Sequence, residues 1–130
     1  MRPMHYLCCC LLLLLPAVGL AQSGFSEHSL NSGGTTRSYL LYVPASAGNA
    51  PLPLVFSFHG SGGVPQNQVD TSHFDRLAEQ HGFAVVFPAG SFTNSITERS
   101  WNANVETGVD DVQLVRDILE QVASRVDIDR

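Results

Sequence analysis

Lysine is absent from all 130 residues, and the basic side chains are seven arginines set against twelve carboxylates, a formal net charge of −5. Without lysine there is no phosphate-binding P-loop of the usual kind. The acidic balance also leaves neither a basic footprint for nucleic acid nor a polybasic patch for anionic lipid. Cysteine is confined to Cys8, Cys9 and Cys10, so the chain beyond them has no disulfide and no thiolate to offer a metal. Its stability must come from a packed core. The longest apolar run, Leu7 to Leu15, is too short to span a bilayer, which takes about 20 residues. No internal repeat is present, and no segment beyond this run is of low complexity.

Arg2 precedes the run, Pro16 closes it, and Gly19 and Ala21 follow as small residues two apart. This is the layout of a secretory signal peptide with cleavage after Ala21. Residues 1–21 are therefore expected to be a leader and residues 22–130 the exported portion, secreted to the periplasm or the extracellular space with no membrane attachment after cleavage. An uncleaved anchor is the alternative. The cysteines stand at the start of the run, behind Tyr6 and Leu7, which does not suit lipid attachment.

Beyond the leader, Phe25 to Leu30 and Arg37 to Val43 read as two strands separated by the turn-forming Asn31, Ser32, Gly33 and Gly34. A hairpin is expected. Leu54 to Phe58 is almost continuously apolar, as in a strand buried on both faces of a parallel sheet. The spacing then predicts a helix over Thr71 to His81, with Phe74, Leu77 and Ala78 on its buried face, Ser72 and Asp75 in capping-box-like spacing, and Gly82 as its stop. Phe83 to Phe87 reads as a second buried strand ending at Pro88. A second helix begins near Asp110 and Asp111, and its period buries Val112, Val115, Leu119 and Val122. The sequence then reads Val126 to Arg130 and stops where a third parallel strand is expected. The fold class is α/β: an N-terminal antiparallel hairpin followed by a right-handed βαβ unit with parallel strands.

The most informative stretch is His59-Gly-Ser-Gly-Gly63. It follows a buried strand, at the carboxyl end where open α/β sheets place their ligand sites. Glycines there let backbone N–H groups approach a ligand atom. A dinucleotide-type Gly-x-Gly-x-x-Gly spacing is not matched, which leaves an oxyanion-binding loop or a plain tight turn. Asp110 and Asp111 read either as paired carboxylates or metal ligands, or as a helix cap and dipole partner, the commoner arrangement. Trp101 is either the wall of a substrate cleft or a packing residue. His73 and His81 lack zinc-ligand spacing and read as solvated helix positions.

In order and spacing, Arg37-Ser-Tyr-Leu-Leu-Tyr-Val-Pro44, Pro53-Leu-Val-Phe-Ser-Phe-His-Gly-Ser-Gly-Gly63, Leu77-Ala-Glu-Gln-His-Gly-Phe83, Val86-Phe-Pro-Ala-Gly90, Trp101 and Gly108-Val-Asp-Asp-Val112 resemble the secreted polyhydroxybutyrate depolymerase and feruloyl esterase family. That family belongs to the α/β-hydrolase superfamily, and the resemblance runs from about Thr36 onward. It implies a partial α/β-hydrolase sheet, truncated before the nucleophile elbow. It also implies a serine esterase chemistry with no metal and no organic cofactor. The backbone N–H of Ser61 would be the oxyanion donor, supported by Gly60 and Gly62, and His59 would be a structural hydrogen-bonding residue that lies, with Trp101, at a cleft. In this fold the order is nucleophile, acid, base, with the nucleophile in Gly-x-Ser-x-Gly. No such motif occurs in the sequence, and family members place it just beyond a segment like Asp127-Ile-Asp-Arg130.

No catalytic residue is therefore assigned within the chain, which is expected to be inactive as it stands. The implied partner is an ester of plant cell-wall or polyester type, with feruloyl esters, acetylated xylan, polyhydroxyalkanoate and simpler esters all open. Two other readings stand beside this one. The first is a non-catalytic module binding polysaccharide or polyester, and the second is a gene fragment that does not fold.

Overall fold

The computed structural model describes residues 23–48, 50–92, 98–102 and 108–129. The leader and its cleavage point lie outside the described residues. Among the described residues, no helix is long and apolar enough to cross a membrane.

Strands β1 (Gly24–Ser32) and β2 (Thr35–Val43) form the expected antiparallel hairpin in unbroken register from Gly24 opposite Val43 to Ser32 opposite Thr35. Gly33 and Gly34, at φ 59 and 81, make the turn. Two positive φ angles in a two-residue loop match the right-handed twist of the strands it joins. β2 turns Arg37, Tyr39, Leu41 and Val43 inward in strict alternation.

β3 (Leu54–Phe56) pairs in parallel with β4 (Ala84–Pro88), and β4 pairs antiparallel with β2, giving the order β1-β2-β4-β3. The sheet is open and mixed. β4 lies inside it and is buried at all five positions, whereas β3 is only half-buried, which corrects the expectation of burial on both faces. Phe58, read as the strand's end, is 43 % exposed. The cause is position. Among the described residues, β3 has β4 on one side and on the other only the bridge of Leu52 to Ile128. There Leu52 N–H donates to Asp127 C=O at 2.8 Å and Asp129 N–H to Leu52 C=O at 2.9 Å. Asp127 to Asp129 thus reach the sheet beside the start of β3.

The single helix expected over Thr71 to His81 is two: α1 (Pro65–Ser72) and α2 (Phe74–His81), parted by His73 in the left-handed region at φ 52 and ψ 30. Ser72 ends α1 and is not the start of a capping box. α1 left little trace in the sequence because Val69 is its only buried residue. On α2, Ala78 is buried and Phe74 packs beside the core, but Leu77 is exposed.

Two short strands, β5 (Ser91–Phe92) and β6 (Arg99–Ser100), pair as a separate ribbon. α3 (Asp111–Ala123) follows, with Asp110 as its cap accepting Gln113 N–H at 2.9 Å. The buried face is Leu114, Ile118 and Val122; Val112 is 62 % exposed and Val115 and Leu119 are half-buried. The predicted face was therefore rotated. Its apolar stripe is wider than one contact row, and the sheet takes the row of residues four apart.

Alternate side chains of β4 feed two cores. Ala84 and Val86 join Tyr39, Leu41 and the α3 face on one side, while Val85 and Phe87 meet Val69 and Ala78 on the other. Helices on both faces of a mixed sheet make this an α/β layer architecture. Each fully buried Val, Leu, Ile or Phe contributes roughly 1.5–3 kcal/mol of transfer free energy, so the continuous burial of β4 makes it the element the layers are organised around.

A non-glycine residue held at positive φ carries about 1 kcal/mol of strain. His73→Gly is expected to raise the unfolding free energy by about 0.5–1 kcal/mol in urea titration, with the helices unchanged by circular dichroism. A loss of stability would show that the imidazole contributes more there than the backbone strain costs.

Candidate functional site

The site is built where β3 and β4 both end. Beyond Phe56 the ladder continues for one bond, Ser57 N–H to Val86 C=O at 2.8 Å. Gln68 of α1 donates to Ser57 Oγ at 2.9 Å. The chain then delivers His59, only 3 % exposed, into the gap between the two strand ends.

Burial forces the imidazole to satisfy both nitrogens internally. Nε2 accepts the Gly90 N–H at 2.9 Å. The ring proton therefore sits on Nδ1, which donates to Gly60 C=O at 2.7 Å. The residue's own carbonyl accepts Trp101 Nε1–H at 2.8 Å. A neutral ring engaged at both nitrogens has no lone pair left for general-base work.

Gly60 to Gly63 form a tight turn closed by Gly63 N–H to Gly60 C=O at 3.0 Å, with Gly62 at φ 76 in the third position. That is the type II geometry, which needs glycine there. Gly62 N–H donates outward to Arg99 C=O on β6 at 2.8 Å. Gly60 and Ser61 are exposed, and among the described residues their N–H groups have no acceptor. Glycine at 90 is imposed by close approach. A Cβ there would lie 2.7 Å from Ser100 C=O and 3.1 Å from His59 Cε1.

The ribbon of β5 and β6 backs this arrangement. Arg99 donates to Gly90 C=O at 2.8 Å, and its guanidinium lies 4.0 Å over the Phe92 ring. Trp101 follows directly, stacked at a tilt against His59 with centroids 4.9 Å apart and edge-on to Phe58 at 5.1 Å.

Beside these rings runs a mostly apolar groove of about 500 Å³, walled by Phe58, Trp101, Val112 and Val115, with Asn102 and Arg116 among its polar lining. Trp101 thus serves as both wall and packing residue. His59, grouped with it by the sequence reading, lies beneath it and not in the groove. The apolar residues that α3 withholds from the sheet, Val112 and Val115, face this groove.

Asp110 and Asp111 do not act as a pair. The first caps α3, and the second forms an ion pair with Arg37 at 2.7 Å. His73 and His81 stand exposed at helix ends. Among the described residues, no three His, Cys, Asp or Glu side chains come together as metal ligands. Gly90 and Arg99 hold the loop but went unnoticed as site residues in the sequence. Gly90 was visible in Val86-Phe-Pro-Ala-Gly90, yet nothing local marks it as the partner of a histidine 31 positions earlier.

Compared with known proteins, the chain matches the family model "Esterase PHB depolymerase" over residues 37–129. It is 34 % identical over 97 residues to a bifunctional acetylxylan esterase/xylanase of Neocallimastix patriciarum, a match covering 74 % of this chain and 13 % of that protein. Several solved structures share its fold. An S-formylglutathione hydrolase from Agrobacterium tumefaciens superposes with a TM-score of 0.62 at 18 % identity, covering 81 % of this chain and 44 % of that one. A fluorophosphonate-binding serine hydrolase of Staphylococcus aureus gives 0.59 at 15 % identity, covering 85 % and 44 %. The chain thus spans less than half of either structure and a small part of the curated relative.

If Gly90 is required for space alone, Gly90→Ala is expected to destabilise the protein by about 1–3 kcal/mol through overpacking and to shift the emission of Trp101. Gly48→Ala is the control, since a Cβ there meets nothing within 4 Å. Equal tolerance of both substitutions would remove the packing argument.

Proposed function

Because the chain belongs to the esterase PHB depolymerase family, matched over residues 37–129, we propose that it carries the oxyanion loop of a secreted carboxylic-ester hydrolase. The observation that carries this reading is the exposed N–H of Ser61, which has no acceptor among the described residues and is held in a tight turn at the carboxyl end of the sheet. In acyl transfer the attacked carbonyl oxygen becomes negative, and fixed backbone donors stabilise it more in the transition state than in the ground state. Loss of one such donor costs about 2.7 to 4 kcal/mol. Gly62 supports the role by turning the backbone. Gly60 supports it by accepting hydrogen bonds from both His59 Nδ1–H and Gly63 N–H on its carbonyl, which fixes the turn that presents the Ser61 amide.

A nucleophile is a different matter. No Gly-x-Ser-x-Gly occurs in the 130 residues, and His59 is spent on structure. We assign nucleophile, acid and base to polypeptide outside this sequence and expect the 130 residues alone not to turn over. The acetylxylan esterase/xylanase among the relatives favours an ester on a plant cell-wall polysaccharide over a polyester. The signal-like leader supports export.

The groove beside Trp101 favours a second reading, binding of such a polysaccharide without hydrolysis. Trp101 is the sole tryptophan, so one sample tests both. Purified protein is treated with a fluorophosphonate probe and with 4-nitrophenyl acetate, and its fluorescence is titrated with acetylated xylo-oligosaccharide. The expected result is no covalent adduct and no turnover. A serine adduct abolished by alanine substitution of that serine would overturn the assignment of the nucleophile elsewhere. A saturable change in emission without turnover is the signature of the second reading.

A further inference from the structure

Arg37 lies on β2, far from the loop in sequence, with its side chain 4 % exposed against 16 % for its partner Asp111. Its Nη2 donates to Asp111 Oδ1 at 2.7 Å and to the Ala89 carbonyl at 3.2 Å. The other carboxylate oxygen of Asp111 accepts the backbone N–H of Asn102 at 2.6 Å, and the Asn102 side chain donates to Val109 C=O at 2.9 Å. One charged pair therefore fixes two main-chain points, Ala89 and Asn102. Each is next in sequence to a residue that grips His59: Gly90 through Nε2 and Trp101 through the carbonyl. From Gly90 the linkage continues through the Arg99 guanidinium, and from the Arg99 carbonyl to the Gly62 N–H.

A buried ion pair stabilises a fold little, because desolvation offsets the attraction, and apolar residues of similar size often serve as well or better. Its distinguishing property is that it fixes geometry through directed hydrogen bonds. Asp111 also borders the groove beside Trp101, but the hydrogen bonds of the pair run to Ala89 and Asn102 and not to the exposed turn. Both act on the segments that hold His59.

We propose that Arg37 and Asp111 are positioning residues for the loop: the pair sets the separation of Ala89–Gly90 and Trp101–Asn102 that the His59 clamp requires, and through the clamp holds the turn that presents the Ser61 N–H. The functional meaning of this rests on the oxyanion reading above. The positional effect can be measured without it.

The test is amide hydrogen exchange and NMR on the full chain carrying Arg37→Met with Asp111→Leu, which removes both charges and leaves neither unpaired. Exchange at Gly62, Gly90, Asn102 and the Trp101 indole is expected to accelerate at least about tenfold, while Val85 and Val86 in β4 change little, as for a local opening. If all amides accelerate alike, the pair is merely structural, and if none does, it positions nothing; either result overturns the proposal. Should the double variant fail to fold, Asp111→Asn decides. It is expected to loosen Asn102 and Trp101 ahead of β4, and uniform or absent acceleration overturns the proposal in the same way. The readout involves no hydrolysis, so the esterase reading and this one can fail separately.

Discussion

An imidazole taken out of water must find a partner for each ring nitrogen, and much of the site follows from how His59 does so. Nε2 takes its proton donor from the end of β4 at Gly90, and Nδ1 gives its proton to Gly60 inside the turn. The first bond joins the ends of two parallel strands. The second orients the Gly60 carbonyl, which also closes the turn by accepting Gly63 N–H. With Gly62 N–H committed to Arg99, the Ser61 amide is left pointing at no acceptor among the described residues. Glycine at 90 is then a requirement of space, since any Cβ meets Ser100 and the imidazole.

The sheet makes this possible by topology. β3 and β4 are parallel neighbours, so their carboxyl ends emerge together and the loops after them lie side by side. β4, buried along its whole length, contributes alternate residues to a core on each face, and α3 covers one face with Leu114, Ile118 and Val122. The same helix leaves Val112 and Val115 turned toward Phe58 and Trp101, which makes an apolar groove beside the loop.

Features set by neighbouring residues were legible in the sequence. Gly33-Gly34 between two alternating segments dictated the hairpin, the apolar Phe83 to Phe87 run dictated an interior strand, and Asp110 marked the start of α3. Helix α1 was not legible, because a helix that buries only Val69 has no periodicity to detect. The face of α3 was misread for the opposite reason: two overlapping apolar rows satisfy the helical period, and only the sheet decides between them. The His-Gly loop could be recognised as a cluster of backbone donors. Its supports could not, because Arg37 meets Asp111 across 74 positions and His59 meets Gly90 across 31, and no local pattern encodes either contact.

The state of the His59 ring tests the clamp most directly. In the folded chain at neutral pH, nitrogen NMR of the imidazole should show a protonated Nδ1 and an unprotonated Nε2, with a scalar coupling across the bond from the Gly90 amide to Nε2. A ring protonated on Nε2, or one exchanging between tautomers, would mean that Gly90 does not hold it and that the loop is organised by something else.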